Sequence, residues 1–184
     1  MNETLQVISK RYSCRDYTDV VPSDEQLRAI GEAALAAPSA NNSQRWKIII
    51  VKNKTLIDEL DTETMNAILK LPDKTLYNNF AASGVYYHAP AVAFVSIDPS
   101  SLTSASLDCG IVSENIALAA ESLGLGSCIC GLARFGFSED KNAYFKEKLG
   151  FPAGHEFGMS VLLGYAKTDG EPHALDHSKI SYIN

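Results

Sequence analysis

Arg11, Ser13 and Arg15 alternate cation, hydroxyl and cation at every second position of the run Arg11-Tyr12-Ser13-Cys14-Arg15. In an extended segment, side chains two residues apart point to the same side. Two guanidiniums and a hydroxyl converging on one point suit a terminal phosphate dianion, which takes charge-assisted and bidentate hydrogen bonds. A second stretch, Ala37-Pro38-Ser39-Ala40-Asn41-Asn42-Ser43-Gln44-Arg45-Trp46, is turn-rich and dense in small residues, amides and hydroxyls. Asn42 offers both a donor and an acceptor. Together the two stretches point to a bound phosphorylated cofactor.

Both stretches resemble the flavin-binding signature of the nitroreductase family of FMN-dependent oxidoreductases. There an Arg-x-Ser-x-Arg/Lys segment precedes a helix that runs into Ala-Pro-Ser-x-x-Asn-x-Gln-Pro-Trp. Gly124-Leu125-Gly126-Ser127-Cys128-Ile129-Cys130-Gly131 is similar to the family's Gly-Leu-Gly-x-x-x-x-Gly, and Leu162-Leu163-Gly164-Tyr165 is similar to its last strand. The likeness covers nearly the whole chain and is weakest from Lys54 to Tyr87.

The resemblance implies an α+β fold over residues 1–184, with a central mixed or antiparallel sheet flanked by helices. It implies a homodimer with FMN sites at the subunit interface, NADH or NADPH as donor, and a small-molecule acceptor such as a nitroaromatic or quinone. Arg11, Tyr12, Ser13 and Arg15 would hold the phosphate. Pro38, Ser39, Ala40, Asn42 and Gln44 would pack against the flavin ring and ribityl chain, partly from the partner subunit. Cys130, Gly131 and Leu132 would run along the ring edge towards N5. The family adds a late basic residue to the phosphate; His173 is the nearest match here, with Lys167 and Lys179 as alternatives. The chemistry would be the cofactor's, so no catalytic side chain is required. A narrower relative (a dehalogenase or flavin-cleaving enzyme), a flavin-binding protein without turnover and a non-flavin interaction module are the competing readings.

The chain departs from the family pattern at two of these positions. Asn41 stands where glycine is common, and asparagine adopts the same left-handed backbone. Arg45 stands where proline is common. Its charge could attract an acidic substrate or a nicotinamide phosphate, or could be a solvated surface charge.

Composition bounds these readings. The 184 residues argue for one domain, and 46% apolar residues suffice for a sizeable core. A net charge of −6 gives no overall field for nucleic acid or anionic lipid, so an anion must be held by local cations. No apolar run approaches the ~18 residues of a membrane span. Met1-Asn2-Glu3-Thr4 shows neither the basic nor the apolar region of a signal peptide, so a cytoplasmic location is expected.

The four cysteines are Cys14, Cys109, Cys128 and Cys130. Cys128-Ile129-Cys130 is C-x-C rather than C-x-x-C. In a strand both sulfurs face one side, which leaves a metal or redox role open beside the reading as buried thiols acting as small hydrophobes. His88 and His155 lack partners at a recognisable spacing and read as surface or satisfied histidines. Asp108 and Glu114 read as capping or pairing groups.

The elements that must position these residues follow from periodicity and punctuation. Helices are expected over Glu3 to Lys10 with Asn2 as cap, from Ser23 through a Ser23/Gln26 capping box to Pro38, over Lys54 to Leu71, over Leu107 to Leu123, and over Glu139 to Leu149. Leu107 to Leu123 is apolar nearly all round and reads as buried; the resemblance makes it the long central helix at a dimer interface, and the alternative is a core helix of a monomer. Strands are expected at Trp46 to Val51, Ala89 to Ile97, Ser127 to Ala133 and Gly158 to Ala166. Asn78 to Tyr87 is ambiguous. This order lacks strict βαβ alternation, and no G-x-G-x-x-G follows a strand, which disfavours a Rossmann site.

Overall fold

A computed structural model of the protein describes residues 1–100, 105–137 and 141–183. Four strands form one antiparallel sheet in the order β1-β2-β4-β3, with β1 Trp46–Val51, β2 Ala91–Ile97, β3 Gly126–Ile129 and β4 Glu156–Gly164. Both faces of β2 are covered, which is why it reads as a continuous apolar run rather than an alternating one. Its small residues Ala91, Ala93 and Val95 face one core cluster; Val92 and Phe94 face the other.

The small-residue face receives α2 (Asp24–Leu35) and α5 (Ala105–Ser122), through Leu27, Ile30, Ala34, Val112, Ile116 and Ala120. The opposite face receives α3 (Lys54–Leu69) through Ile57, Leu60 and Ile68. A 3-10 segment, Gly131–Phe137, sends Phe137 into the same cluster, 6.1 Å from Phe94 and 4.8 Å from Phe157 between ring centres.

Local signals explain the helix starts. Asn2 Oδ1 accepts the Leu5 amide at 3.0 Å at the head of α1 (Glu3–Lys10), and Glu3 and Lys10 complement its dipole. Ser23 and Gln26 form the expected capping box on α2, at 3.1 and 3.0 Å. α3 ends at Leu69 rather than Leu71, closing with short-range bonds from Lys70 and Leu71 ahead of Pro72.

Other expectations shift. The strand expected through Ala133 stops at Ile129, because residues 131–137 coil to bury Phe137 among aromatic rings. The strand expected at Gly158 to Ala166 runs from Glu156 to Gly164, and that expected from Ala89 begins at Ala91. The ambiguous stretch resolves into α4 (Thr75–Phe80) followed by a tight turn. α6 spans Asn142–Lys148; the expected start at Glu139 lies outside the described residues.

Two helices keep apolar side chains outside. α1 buries no residue and leaves Leu5 and Ile8 exposed; Val7 and Ile8 border a groove of about 410 Å³ with Ala33, Asn115 and Leu118. α5 is not buried all round as expected: Leu107 and Ile111 stay exposed on one stripe. Gly110, on that stripe, meets nothing within 4 Å. Among the described residues no helix is long and apolar enough to cross a membrane.

Candidate functional site

Residues 11–17 are extended and laid beside the sheet. Ser13 pairs with Ser127 of β3 in a parallel bridge, and the Cys14 amide donates to the Ser127 carbonyl at 2.8 Å. Farther on, Tyr17 pairs with Ala166 in an antiparallel bridge. Gly126 is needed here, since a Cβ would come within 2.8 Å of Cys14 Cβ and Sγ. The parallel register brings Arg15 level with Ile129, one residue before Cys130. The first and third sequence motifs therefore form one contiguous surface.

Alternation sorts the side chains. Cys14 is buried, and the Tyr12 ring packs on Gly170, its hydroxyl donating to the Thr168 carbonyl at 3.4 Å. Burial raises the Tyr12 and Cys14 pKa values. Ser13 and Arg15 turn to the Cys128 thiol, whose pKa burial pushes up to about 11 against the lowering pull of Arg15.

The two guanidiniums have different partners. Arg11 Nε lies 3.7 Å from Glu114 of α5. Arg15 makes no ion pair among the described residues. Its Nη1 donates to the Ser13 carbonyl at 3.5 Å. Glu114 is thus a pairing group, as its spacing suggested.

Of the late cations, Lys167 stands closest to this segment. Its amide donates to the Asp16 carbonyl at 3.0 Å, and Nζ is 4.0 Å from Asp16 Oδ1. His173 is exposed in the tail, and Lys179 pairs with Asp176 at 3.8 Å.

Tyr87 sits in a strained turn. Gly84, Tyr87 and His88 all have positive φ, at 61°, 49° and 57°. Left-handed backbone costs a non-glycine residue roughly 1–2 kcal/mol. Asp61 of α3 holds the turn, accepting the Val85 amide at 2.9 Å. Its carboxylate fills the space a Gly84 Cβ would need, 1.9 Å from Oδ2. Burial raises the Asp61 pKa. Nothing in the spacing of the 78–87 stretch signals Tyr87 or Asp61.

Cys128 and Cys130 face the same core cluster as buried free thiols, and Cys130 Sγ donates to the Val85 carbonyl at 3.4 Å. Gly131 follows. A Cβ there would meet only Met159, at an ordinary 3.6 Å, so the chain's own packing does not demand a glycine. Leu132 is half-buried beside it.

The 38–44 loop hangs on the first turn of α5, where buried Asp108 accepts the Ala40 amide at 3.3 Å. Asn41 takes the left-handed backbone expected of it, φ 53°; Asn42 and Gln44 do so too, at 52° and 46°. Ser39 Oγ accepts the Gln44 amide at 2.9 Å, and Gln44 Nε2 donates to Asn42 Oδ1 at 2.7 Å. Pro38, Ala40, Asn42 and Gln44 are exposed. Among the described residues, no hydrogen bond ties this loop to 11–15 or 130–132.

Arg45 sits 3.6 Å from Asp98 and donates to Ser100 Oγ at 2.9 Å, which fastens the loop's end to the exit of β2. His155 is satisfied, with Nδ1 3.1 Å from Ser96 Oγ. Among the described residues no cluster of His, Cys, Asp and Glu could hold a metal ion.

Residues 8–165 match the model of the nitroreductase family. The chain is 45% identical to a nitroreductase with bound FMN from Desulfitobacterium hafniense DCB-2, with a TM-score of 0.98 and full coverage of both chains. It is 31% identical to an Archaeoglobus fulgidus protein provisionally named NADH dehydrogenase/NAD(P)H nitroreductase, over 96% of this chain and 92% of that one. It is 30% identical to a Vibrio harveyi NADPH-flavin oxidoreductase, over 93% of this chain and 69% of that one.

Proposed function

Because the chain belongs to the nitroreductase family, we propose that it is an FMN-dependent oxidoreductase that draws on NADH or NADPH and reduces a small acceptor such as a nitroaromatic or quinone. The observation that carries this reading is the meeting of Ser13 and Arg15 beside Cys128, with Arg15 free of any carboxylate among the described residues. A guanidinium and a hydroxyl in that state fit a phosphate monoester. Gly131 fits the other end of the ligand: its smallness leaves room for a flat ring that the chain itself does not supply.

When bound, FMN would supply hydride chemistry at ring N5. The chain's part is to hold and orient. Arg15 and Ser13 would anchor the phosphate, with a late cation, Lys167 or His173, adding to the local field, while Arg11 is offset by Glu114. Backbone at 130–132 would line the ring edge. Donor and acceptor would take turns at the open face above Gly131.

The exposed loop with Pro38, Ser39, Ala40, Asn42 and Gln44 would complete the site from a second copy of the chain. The α5 stripe of Leu107, Gly110 and Ile111, together with the exposed Leu5 and Ile8 of α1, offers the surface for that copy. A glycine inside a helix costs about 1 kcal/mol relative to alanine, a cost that close approach of another helix would explain. A cytoplasmic location accords with use of NAD(P)H.

The test is an absorption spectrum of the purified protein with FMN, then anaerobic titration with NADH and with NADPH. Bound flavin that bleaches stoichiometrically supports the reading. Flavin that binds but is never reduced indicates a carrier, and failure to bind FMN removes the assignment.

A further inference from the structure

We propose that Asp108 is a positioning residue for the flavin: its buried carboxylate holds the exposed 38–44 loop in place on α5. The proposal rests on the reading of that loop as part of an FMN site. The location of the charge carries the argument. Asp108 lies in the first turn of α5 and is only 5% exposed. Burying a carboxylate is costly unless hydrogen bonds compensate it. Among the described residues it accepts from the Ala40 amide, at 3.3 Å. Ala40 is an exposed residue, so water could satisfy that amide without help. Satisfying a donor therefore does not explain the buried charge; fixing where the loop sits does.

The loop has a shape worth fixing. Ala40 opens the 3-10 turn Ala40–Asn42, and three of the next four residues, Asn41, Asn42 and Gln44, have left-handed φ. Asparagine visits that region readily, but Gln44 does so at a cost. Such backbone persists where the surroundings over-determine it, and it concentrates at functional sites. Within the loop, Ser39 Oγ holds the Gln44 amide and Gln44 Nε2 holds Asn42 Oδ1. Those bonds set the loop's form but not its position. Position is set at two points, by Arg45 on Asp98 and Ser100 and by Ala40 on Asp108. The second point lies on α5 between Leu107 and Ile111, which are exposed and belong to the surface assigned to a second copy. Asp108 thus ties the loop to the helix on which that copy would pack.

The experiment compares Asp108→Ala with Asp108→Asn. Asparagine keeps an oxygen acceptor for the Ala40 amide, and alanine does not. Hydrogen exchange is read first, on the flavin-free proteins. Amides of residues 39–45 should exchange faster in Asp108→Ala, with the sheet unchanged, and at the wild-type rate in Asp108→Asn. FMN and riboflavin, which lacks the phosphate, are then titrated by fluorescence. Asp108→Ala should weaken both about fivefold, the loss of one hydrogen bond, because the loop meets the ring and ribityl chain that the two flavins share. Asp108→Asn should bind both as the wild type does.

Wild-type exchange and wild-type flavin affinity in Asp108→Ala would overturn the proposal. So would equal losses in the two variants, which would assign the effect to the buried charge rather than to the acceptor. A loss confined to FMN would also overturn it, by moving the loop to the phosphate. If wild-type protein bound neither flavin, the FMN reading itself would fall. That outcome shows in the wild type alone, and exchange in the flavin-free loop still decides whether Asp108 holds it.

Discussion

Removing Arg15 and removing the Arg11–Glu114 pair should have very different consequences for FMN binding. Arg15 carries a charge that no carboxylate offsets among the described residues, so Arg15→Ala subtracts a full cation from the anion site. One charge-assisted hydrogen bond is worth about 1.5–3 kcal/mol, and every 1.4 kcal/mol is about tenfold in affinity. Arg15 is exposed, which favours the lower end. The expected loss is about tenfold to a hundredfold.

Arg11 and Glu114, 3.7 Å apart, sum to no net charge, and their side chains are 21% and 46% exposed. Such a pair contributes about 0–1 kcal/mol to stability. Arg11→Ala alone would leave Glu114 facing the phosphate unopposed and so confound the comparison. The double variant Arg11→Ala/Glu114→Gln removes the pair as a neutral unit and should stay within about threefold of wild type. Affinity is read from flavin fluorescence at low salt and again near 1 M, where the screening length falls from about 10 Å to about 3 Å. The Arg15→Ala deficit should shrink at high salt. If the double variant lost as much affinity as Arg15→Ala, the idea that Glu114 withholds Arg11 from the anion would be wrong.

Gly126→Ala should destabilise the protein by about 1–3 kcal/mol, since the new methyl lands on Cys14 and neither backbone can retreat; thermal melting that left the transition unmoved would contradict this packing. Ile111→Glu, on the exposed stripe of α5, should shift sedimentation towards monomer and weaken FMN binding together, and an unaltered dimer would remove α5 from the interface. Asp61 has a raised pKa because it is buried. A raised folded value means that stability is fully present below the ordinary carboxylate pKa and is lost as pH rises through the folded one. Asp61→Asn keeps an acceptor for the Val85 amide, so it should flatten the fall in stability above about pH 4; urea titrations at several pH values that gave parallel curves for both proteins would refute the sign.

Local chemistry made much of the fold legible. Asn2, the Ser23/Gln26 box and the Pro38 stop act within a turn of their own positions, so the chain's order alone reveals them. Trp46 to Val51 and Ala89 to Ile97 read as strands because β-branched and apolar runs fit a covered sheet. Gly131 to Ala133 read as the end of the strand expected from Ser127, because nothing local marks the change at Gly131; the coil over Gly131–Phe137 is imposed by distant rings, Phe94, Phe151 and Phe157.

The site divides in the same way. Arg11, Ser13 and Arg15 were visible from their alternation, but alternation could not reveal that Glu114 holds Arg11 while no carboxylate holds Arg15 among the described residues. That partner is over 100 positions away and brings no periodicity of its own. Composition alone read α5 as buried all round, and only the resemblance pointed to a dimer interface; the exposed Leu107 and Ile111 could not be picked out, because composition does not distinguish a face that packs inward from one left outside.

The most direct measurement is a crystal structure of the protein with FMN. The account predicts the phosphate within hydrogen-bond distance of Ser13 Oγ and the Arg15 guanidinium, with the ring lying over Gly131. Density for the flavin in the groove between α2 and β1, bordered by Leu27, Leu35 and Trp46, with nothing held between Ser13 and Arg15, would contradict it.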